Sequence, residues 1–268
     1  MPRDAIFVLS DLHFNANTPD RQRGTLRFLR EVVRRRGQQL VLNGDIIDYV
    51  RGDQPAQSGA FRELQRALDQ VLAEGIPVTY IVGNHDLPLI TLLRPSDALG
   101  PEDLYADRSP LEIVPGLTVA YRVCTLEYQG RRVHIEHGHV YDPGWLMTPE
   151  QQQSVYHAHS PAVEGKDWMG RLLRLFEEAR QYGEDGPGRL ARTGSSLPPI
   201  DMARYAVRML ERQKQADWYI LGHFHAPTLE TLEEGRKYAN AGDSLGNGGY
   251  AVLTAGQLRL GDWREVLA

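Results

Sequence analysis

Five times along this 268-residue chain, a short apolar run stops at a turn that carries aspartate, asparagine or histidine. Ala5-Ile6-Phe7-Val8-Leu9 leads into Ser10-Asp11-Leu12-His13, and Gln39-Leu40-Val41-Leu42-Asn43 into Gly44-Asp45. Val78-Thr79-Tyr80-Ile81-Val82 leads into Gly83-Asn84-His85-Asp86. Arg131-Arg132-Val133-His134-Ile135-Glu136 ends in His137-Gly138-His139, and Asp217-Trp218-Tyr219-Ile220-Leu221 in Gly222-His223-Phe224-His225. Near-continuous apolar runs of this length read as strands buried on both faces. In open α/β sheets the loops leaving the carboxyl ends of the strands line the ligand crevice. Here every one of those loops carries polar, chemically capable side chains.

The segments between the runs set the architecture. Residues 19 to 36 place Leu26, Leu29, Val32 and Val33 at helical spacing, and residues 59 to 74 form a second helical stretch ended by Gly75 and Pro77. Strand, helix, strand, helix, strand predicts a parallel sheet with right-handed crossovers. From 87 to 110 four prolines, Pro88, Pro95, Pro101 and Pro110, mark a loop. The period then changes: 117–121 and 124–128 read as strands, and Gln129-Gly130 as a hairpin turn into 131–136. Strands at 228–232, 236–241, 249–254 and 257–261, joined by turns that include Glu234-Gly235 and Ala255-Gly256, close the chain.

Between about 141 and 214 the strand pattern is interrupted. Helical segments at 166–182 (Trp168, Met169, Leu172, Leu173, Leu175, Phe176) and 200–214 (Tyr205, Val207, Met209, Leu210) flank the polar link Gly183-Glu184-Asp185-Gly186-Pro187-Gly188. The stretch reads as a helical insertion over the mouth of the site, with most of its apolar residues turned to the core. Trp145, Tyr156 and Trp168 are candidates to line a pocket, and His157 and His159 to touch substrate or metal. The expected organisation is one α/β domain spanning 1–268, with this insertion at about 141–214.

Composition narrows the functional classes. Apolar residues make up 41% and charged residues 24%, ordinary for a soluble chain. A net charge of −5 gives no general nucleic-acid footprint. The one dense basic run, Arg34-Arg35-Arg36, falls at a helix end, where it faces solvent and complements the helix dipole. Cys124 stands alone, which excludes an internal disulfide framework and fits a reducing compartment. Met1-Pro2-Arg3-Asp4 enters an apolar run too short for a signal core, and no apolar stretch approaches the roughly 18 residues of a membrane span. A cytoplasmic location is expected.

The side chains at the strand ends have a common chemistry. In extended backbone, residues two apart point the same way, so Asp11 with His13 can grip one ion, and the imidazoles of His223 and His225 share the same spacing. Gly44 permits an unusual turn or close approach where Asp45 is presented. Asp48 reads either as a supporting partner or as a cap. Asp11, His13, Asp45, Asn84, His137, His223 and His225 combine carboxylate, amide oxygen and imidazole, a set that suits Mn²⁺, Fe²⁺, Zn²⁺ or Co²⁺ better than Mg²⁺ or Ca²⁺. Seven donors exceed one tetrahedral ion. They suit two ions about 3.5 to 4 Å apart that share a carboxylate and hold a phosphoryl oxygen.

In order, spacing and strand context, these five motifs resemble those of the calcineurin-like metallophosphoesterases. The resemblance covers nearly the whole chain and implies a four-layer sandwich, two mixed β-sheets flanked by helices, with a helical cap insertion. It also implies that Asp11, His13 and His225 hold one divalent ion, Mn²⁺ foremost, that Asn84, His137 and His223 hold a second, and that Asp45 bridges them. His85 resembles the general acid that protonates the leaving oxygen, and Asp86 the residue that orients its imidazole. The implied reaction is in-line attack on phosphorus by a metal-bridging hydroxide, on a small phosphorylated substrate.

Within the family, the insertion and the runs Tyr238-Ala239-Asn240-Ala241-Gly242-Asp243-Ser244 and Gly261-Asp262-Trp263 are similar to the UDP-2,3-diacylglucosamine pyrophosphohydrolases. That similarity implies a nucleotide-linked or lipid-linked substrate and peripheral contact with a membrane. The chain departs from that branch in carrying His85 where those enzymes usually have arginine. A cyclic-nucleotide phosphodiesterase would use the same core, while the acidic balance counts against long nucleic acid. A non-catalytic protein-binding scaffold of this fold would be expected to have lost ligands, and all seven are present.

Overall fold

The computed structural model describes residues 3–14, 19–47, 59–86, 110–142, 199–213, 216–244 and 246–268. Asp48, Trp145, Tyr156, His157, His159, Trp168, the loop centred on 87–109 and the helical stretch 166–182 lie outside the described residues.

Strand β1 (Ala5–Leu9) is buried at every position. Its side chains alternate between two cores, as the period of two along a strand requires. Ala5, Phe7 and Leu9 face one apolar cluster, and Ile6 and Val8 face another. On its first side lie helix α1 (Pro19–Phe28) and helix α2 (Gly59–Ala73). Helix α1 continues through a π-helical turn, Leu29–Val33, into Arg34–Arg36. From these helices Phe28, Leu29, Val33, Leu64, Leu68 and Val71 enter the core. Phe7 meets Phe28 edge to face with ring centroids 5.6 Å apart, a favoured aromatic geometry.

Strands β2 (Gly37–Asn43) and β3 (Val78–Ile81) run parallel to β1. β4 (Leu111–Val114), β5 (Leu117–Ala120), β11 (Gly249–Thr254) and β12 (Gln257–Asp262) complete a seven-stranded mixed sheet in the order β12-β11-β1-β2-β3-β5-β4. The second sheet has five strands, β6 (Val123–Tyr128), β7 (Arg131–Glu136), β8 (Trp218–Leu221), β9 (Thr228–Thr231) and β10 (Lys237–Asn240), in the order β6-β7-β8-β10-β9. Only β7, β8 and β10 are mutually parallel there.

Between the sheets, Ile6, Val8, Val41 and Ile81 meet Val133, Ile135, Trp218 and Ile220. Full burial of each such side chain contributes roughly 1.5–3 kcal/mol. On the far face of the second sheet, α3 (Pro199–Gln213) turns Ala203, Ala206, Val207 and Leu210 onto Tyr219, Leu221 and Tyr238. The layers are therefore helix, sheet, sheet, helix, the expected four-layer sandwich. A last short helix, α4 (Trp263–Leu267), is capped by Asp262, whose side chain accepts the Arg264 N–H. Among the described residues no helix is long and apolar enough to cross a membrane.

Candidate metal centre

The parallel strands β1, β2, β3, β7 and β8 end side by side, and backbone bonding continues past the strand ends. Asp11 N–H donates to the Gly44 carbonyl (3.1 Å), His13 N–H to Asp45 (2.9 Å) and Gly222 N–H to His137 (3.0 Å). The turns therefore lie directly against one another, and three glycines, Gly44, Gly83 and Gly222, make this possible. A Cβ on Gly222 would stand 1.8 Å from Ser10 Oγ and 2.8 Å from Asp11 Oδ2. One on Gly44, at φ 77°, would stand 2.4 Å from His137 Nδ1.

All seven side chains expected to bind metal meet in this hollow, and His85 joins them. Asp11 Oδ2 accepts from Ser10 Oγ (2.5 Å) and from the His223 N–H (3.0 Å), which turns Oδ1 toward His225 Nε2 at 3.0 Å. Asp45 is divided the same way. Its Oδ1 accepts the His85 N–H (2.8 Å), and its Oδ2 lies 3.3 Å from His137 Nε2 and 3.8 Å from His85 Nε2. His137 Nδ1 lies 2.8 Å from the Asn43 carbonyl and donates to it, which in the neutral ring leaves the lone pair on Nε2, 3.2 Å from Asn84 Oδ1. Asn84 Nδ2 has no bonded partner, so the amide engages the cluster through its oxygen.

Three groups of donors come within 4.8 Å of one another: Asp11 with His13 and His225, Asp45 with His137 and His223, and His13 with Asp45 and His85. Among the described residues no other such group occurs. Five of the donors sit at positive φ: Asp11 (54°), His13 (42°), Asp45 (53°), His223 (63°) and His225 (53°). Left-handed backbone at a non-glycine residue costs on the order of 1–3 kcal/mol and gathers at functional sites.

The electrostatics show what the cluster demands. Burial alone would raise the pKa of Asp45, but the imidazoles of His137 and His85 hold it well below the carboxylate range. Asp11 is lowered likewise, against its burial, by His225 and His137. Burial opposes charge on His137 too, yet Asp45 and Asp11 push its pKa up to about 9. His225 is raised by Asp11 against its burial. Burial dominates at His13 and His223, which are lowered. Two buried carboxylates thus require positive charge beside them, and oxygen and imidazole donors converge where it is required. The residues fit divalent cations.

Asp86 stands apart from this set. Its carboxylate accepts the backbone N–H groups of Ile46 (3.2 Å), Ile47 (3.1 Å) and Gly83 (3.3 Å), so it fastens the turn after β2 to the turn after β3. Burial, with the nearby Asp45 charge, raises its pKa to about 7.

A sequence profile described as calcineurin-like phosphoesterase matches residues 5–227, a span that contains all five motif turns. The chain belongs to this family. It is accordingly a metal-dependent phosphoesterase. It is 28% identical over 234 residues to the UDP-2,3-diacylglucosamine hydrolase of Escherichia coli O81 (strain ED1a), covering 85% of each chain. To the protein of the same name from Photorhabdus laumondii subsp. laumondii it is 29% identical over 232 residues, 84% of this chain and 83% of the other. Among solved structures, a dimetal phosphatase from Danio rerio aligns over 97% of this chain and 96% of its own, with a TM-score of 0.42 and 17% identity.

Sequence reasoning missed several residues of this phosphoesterase centre. Ser10 tethers Asp11; Asn240 Nδ2 donates to the Gly222 carbonyl (2.7 Å); Asp142 Oδ2 lies 3.0 Å from His223 Nε2; and Asp243 Oδ2 lies 3.6 Å from His225 Nδ1. For Asn240 and Asp243 a signal existed, since both fall in the run Tyr238–Ser244 that the family resemblance singled out. Asp142 had none.

Proposed function

We propose that this chain hydrolyses a phosphoester or pyrophosphate bond of a small phosphorylated substrate at a centre of two divalent ions. Asp11, His13 and His225 would hold one ion, Asn84, His137 and His223 the other, and Asp45 would stand between them. The observation that carries this reading is the pair of donor trios meeting at one hollow, each within 4.8 Å. Bound there, two divalent ions would neutralise phosphoryl charge and make a nucleophile available from water at neutral pH.

The chain's own residues supply the rest. Asp45 spends Oδ1 on the His85 backbone, so its other oxygen is directed into the hollow without freedom to turn away. The His85 imidazole is buried beside it, in edge contact with His13 at 4.7 Å between ring centroids. In that position it would pass a proton to the leaving oxygen of a substrate held in line. Asp86 supports this by fixing the backbone of the turn that carries His85.

A pyrophosphate-linked, UDP-2,3-diacylglucosamine-type substrate is favoured by one specific finding: hydrolases of that name match 84–85% of the chain. His85 in place of arginine keeps a more general phosphodiester specificity in view. Metal analysis, with hydrolysis of bis(p-nitrophenyl) phosphate, p-nitrophenyl phosphate and UDP-2,3-diacylglucosamine in the presence and absence of Mn²⁺, tests both levels. Mn²⁺-dependent turnover of at least one is expected. Preference for the sugar nucleotide supports the finer reading and preference for the diester overturns it. Bound metal with no turnover of any of the three would instead favour a protein-binding role.

A further inference from the structure

The histidines of the centre engage different kinds of partner through their two ring nitrogens. His137 donates from Nδ1 to the Asn43 carbonyl, and presents Nε2. His225 Nε2 lies 3.0 Å from Asp11 Oδ1, with Nδ1 on the side of Asp243. In His223 it is Nε2 that meets a carboxylate outside the seven donors, Asp142 Oδ2 at 3.0 Å. Both partners of this contact are buried, Asp142 at 6% and His223 at 8% exposure.

We propose that Asp142 is a positioning residue of the metal centre, holding the His223 imidazole so that Nδ1 is the nitrogen offered to the ion. The proposal rests on the two-ion reading above. An ionised carboxylate only accepts hydrogen bonds, so the hydrogen sits on Nε2 and the lone pair of the neutral ring on Nδ1. The backbone of His223 is already fixed, at φ 63° with its N–H on Asp11 Oδ2. What remains to be set is the rotation of the ring, and Asp142 is placed to set it.

The local chain is shaped to deliver this carboxylate. Gly138, at φ 102°, starts a tight 3₁₀ turn, His139–Tyr141. Tyr141 N–H donates to the Gly138 carbonyl and Asp142 N–H to His139, each at 3.1 Å. The six residues from His137 to Asp142 thus supply one imidazole directly and orient a second that lies 81 positions away from Asp142. Carboxylates that hold metal-binding histidines in this way change metal affinity by roughly 10- to 100-fold when removed.

Mn²⁺ titration calorimetry on the full chain, with Asp142→Ala, Asp142→Asn and Asp142→Glu, tests the assignment. The unaltered chain should bind two ions. Asp142→Ala should weaken one of the two sites by roughly 10- to 100-fold and leave the other in place. Asp142→Asn, whose amide oxygen still accepts from Nε2, should fall between, and Asp142→Glu should recover part of the loss. The absorption bands of the Co²⁺-loaded protein should change at the weakened site alone. Unchanged isotherms and Co²⁺ spectra in Asp142→Ala would overturn the proposal. So would an equal loss at both sites in the alanine and asparagine variants, accompanied by equal loss of urea resistance in EDTA, because that pattern marks a merely structural contact. An unaltered chain that bound no divalent ion would overturn the two-ion reading and this proposal with it, whereas two ions bound equally by chain and variant would remove the proposal alone.

Discussion

Asp45 and His85 are adjacent in the hollow, yet their substitution should separate cleanly. Asp45 directs one oxygen at His137 and the other at the His85 backbone, so Asp45→Ala removes the donor proposed to be shared by the two ions and one of the anchors of the turn after β3. Metal content and turnover should both be lost. His85→Ala leaves both principal donor trios intact. Its metal content should match the unaltered chain while kcat falls by roughly 10²- to 10⁴-fold, the usual contribution of a positioned proton donor. Metal loss in His85→Ala, or retained turnover in Asp45→Ala, would reverse the roles. Cys124 gives an independent check at this scale. Burial pushes its thiol up to about 11. At pH 8 only about a thousandth is then thiolate, the reactive form. Labelling by a disulfide reagent should be slow in the native protein and immediate in urea; rapid native labelling would show that β6 is not packed as described.

At the level of elements, the strand-end turns were legible because sequence and geometry make the same demand there. After β2, β3 and β8 an apolar run, a glycine and a carboxylate, amide or imidazole appear in order, and each of these glycines is where another motif turn comes closest. Gly222→Ala tests this: its Cβ would overlap Ser10 Oγ at 1.8 Å, forcing the first and fifth motif turns apart. A loss of roughly 1–3 kcal/mol in urea unfolding is expected from such overpacking, together with weaker metal binding. An alanine variant with unaltered stability and metal affinity would contradict the close approach. The hairpin turns were equally legible. Gln129-Gly130 and Ala255-Gly256 both have positive φ at each central residue, as the favoured two-residue turns require. Other elements left weaker signals. β4 is only Leu111–Val114, exposed at its first two residues, and lacks the apolar run that marks a buried strand. The π-helical turn Leu29–Val33 keeps the apolar spacing of an α-helix, so periodicity did not separate them. α4 had a cap signal in Asp262, overridden by the strand pattern leading into it. Asp142 was beyond reach for a different reason, since its partner is fixed by the packing of β7 against β8 and by no local pattern.

The whole molecule separates what holds it together from what it does. Its apolar clusters lie between the sheets and beneath the helices on either side, whereas the donors crowd the ends of five strands, where two buried carboxylates are balanced by imidazoles. Chelation should therefore leave the sandwich folded and remove only the part of its stability that comes from ion binding. An ion bound to the native state alone, at a hundred times its dissociation constant, adds about 2.7 kcal/mol per site. In a chain of this size one kcal/mol moves the melting temperature by roughly 2–4 °C. Excess EDTA should then lower the melting temperature by roughly 5–10 °C for each site of that affinity, with the far-ultraviolet circular dichroism at 20 °C unchanged, and Mn²⁺ should restore it. The same experiment on Asp45→Ala should show little response to EDTA if Asp45 is the donor shared by both ions, as proposed. A melting temperature indifferent to EDTA in the unaltered chain, measured where metal analysis finds two ions, would mean that the ions bind the unfolded chain as well as the native one, and that the strained turns are held without them.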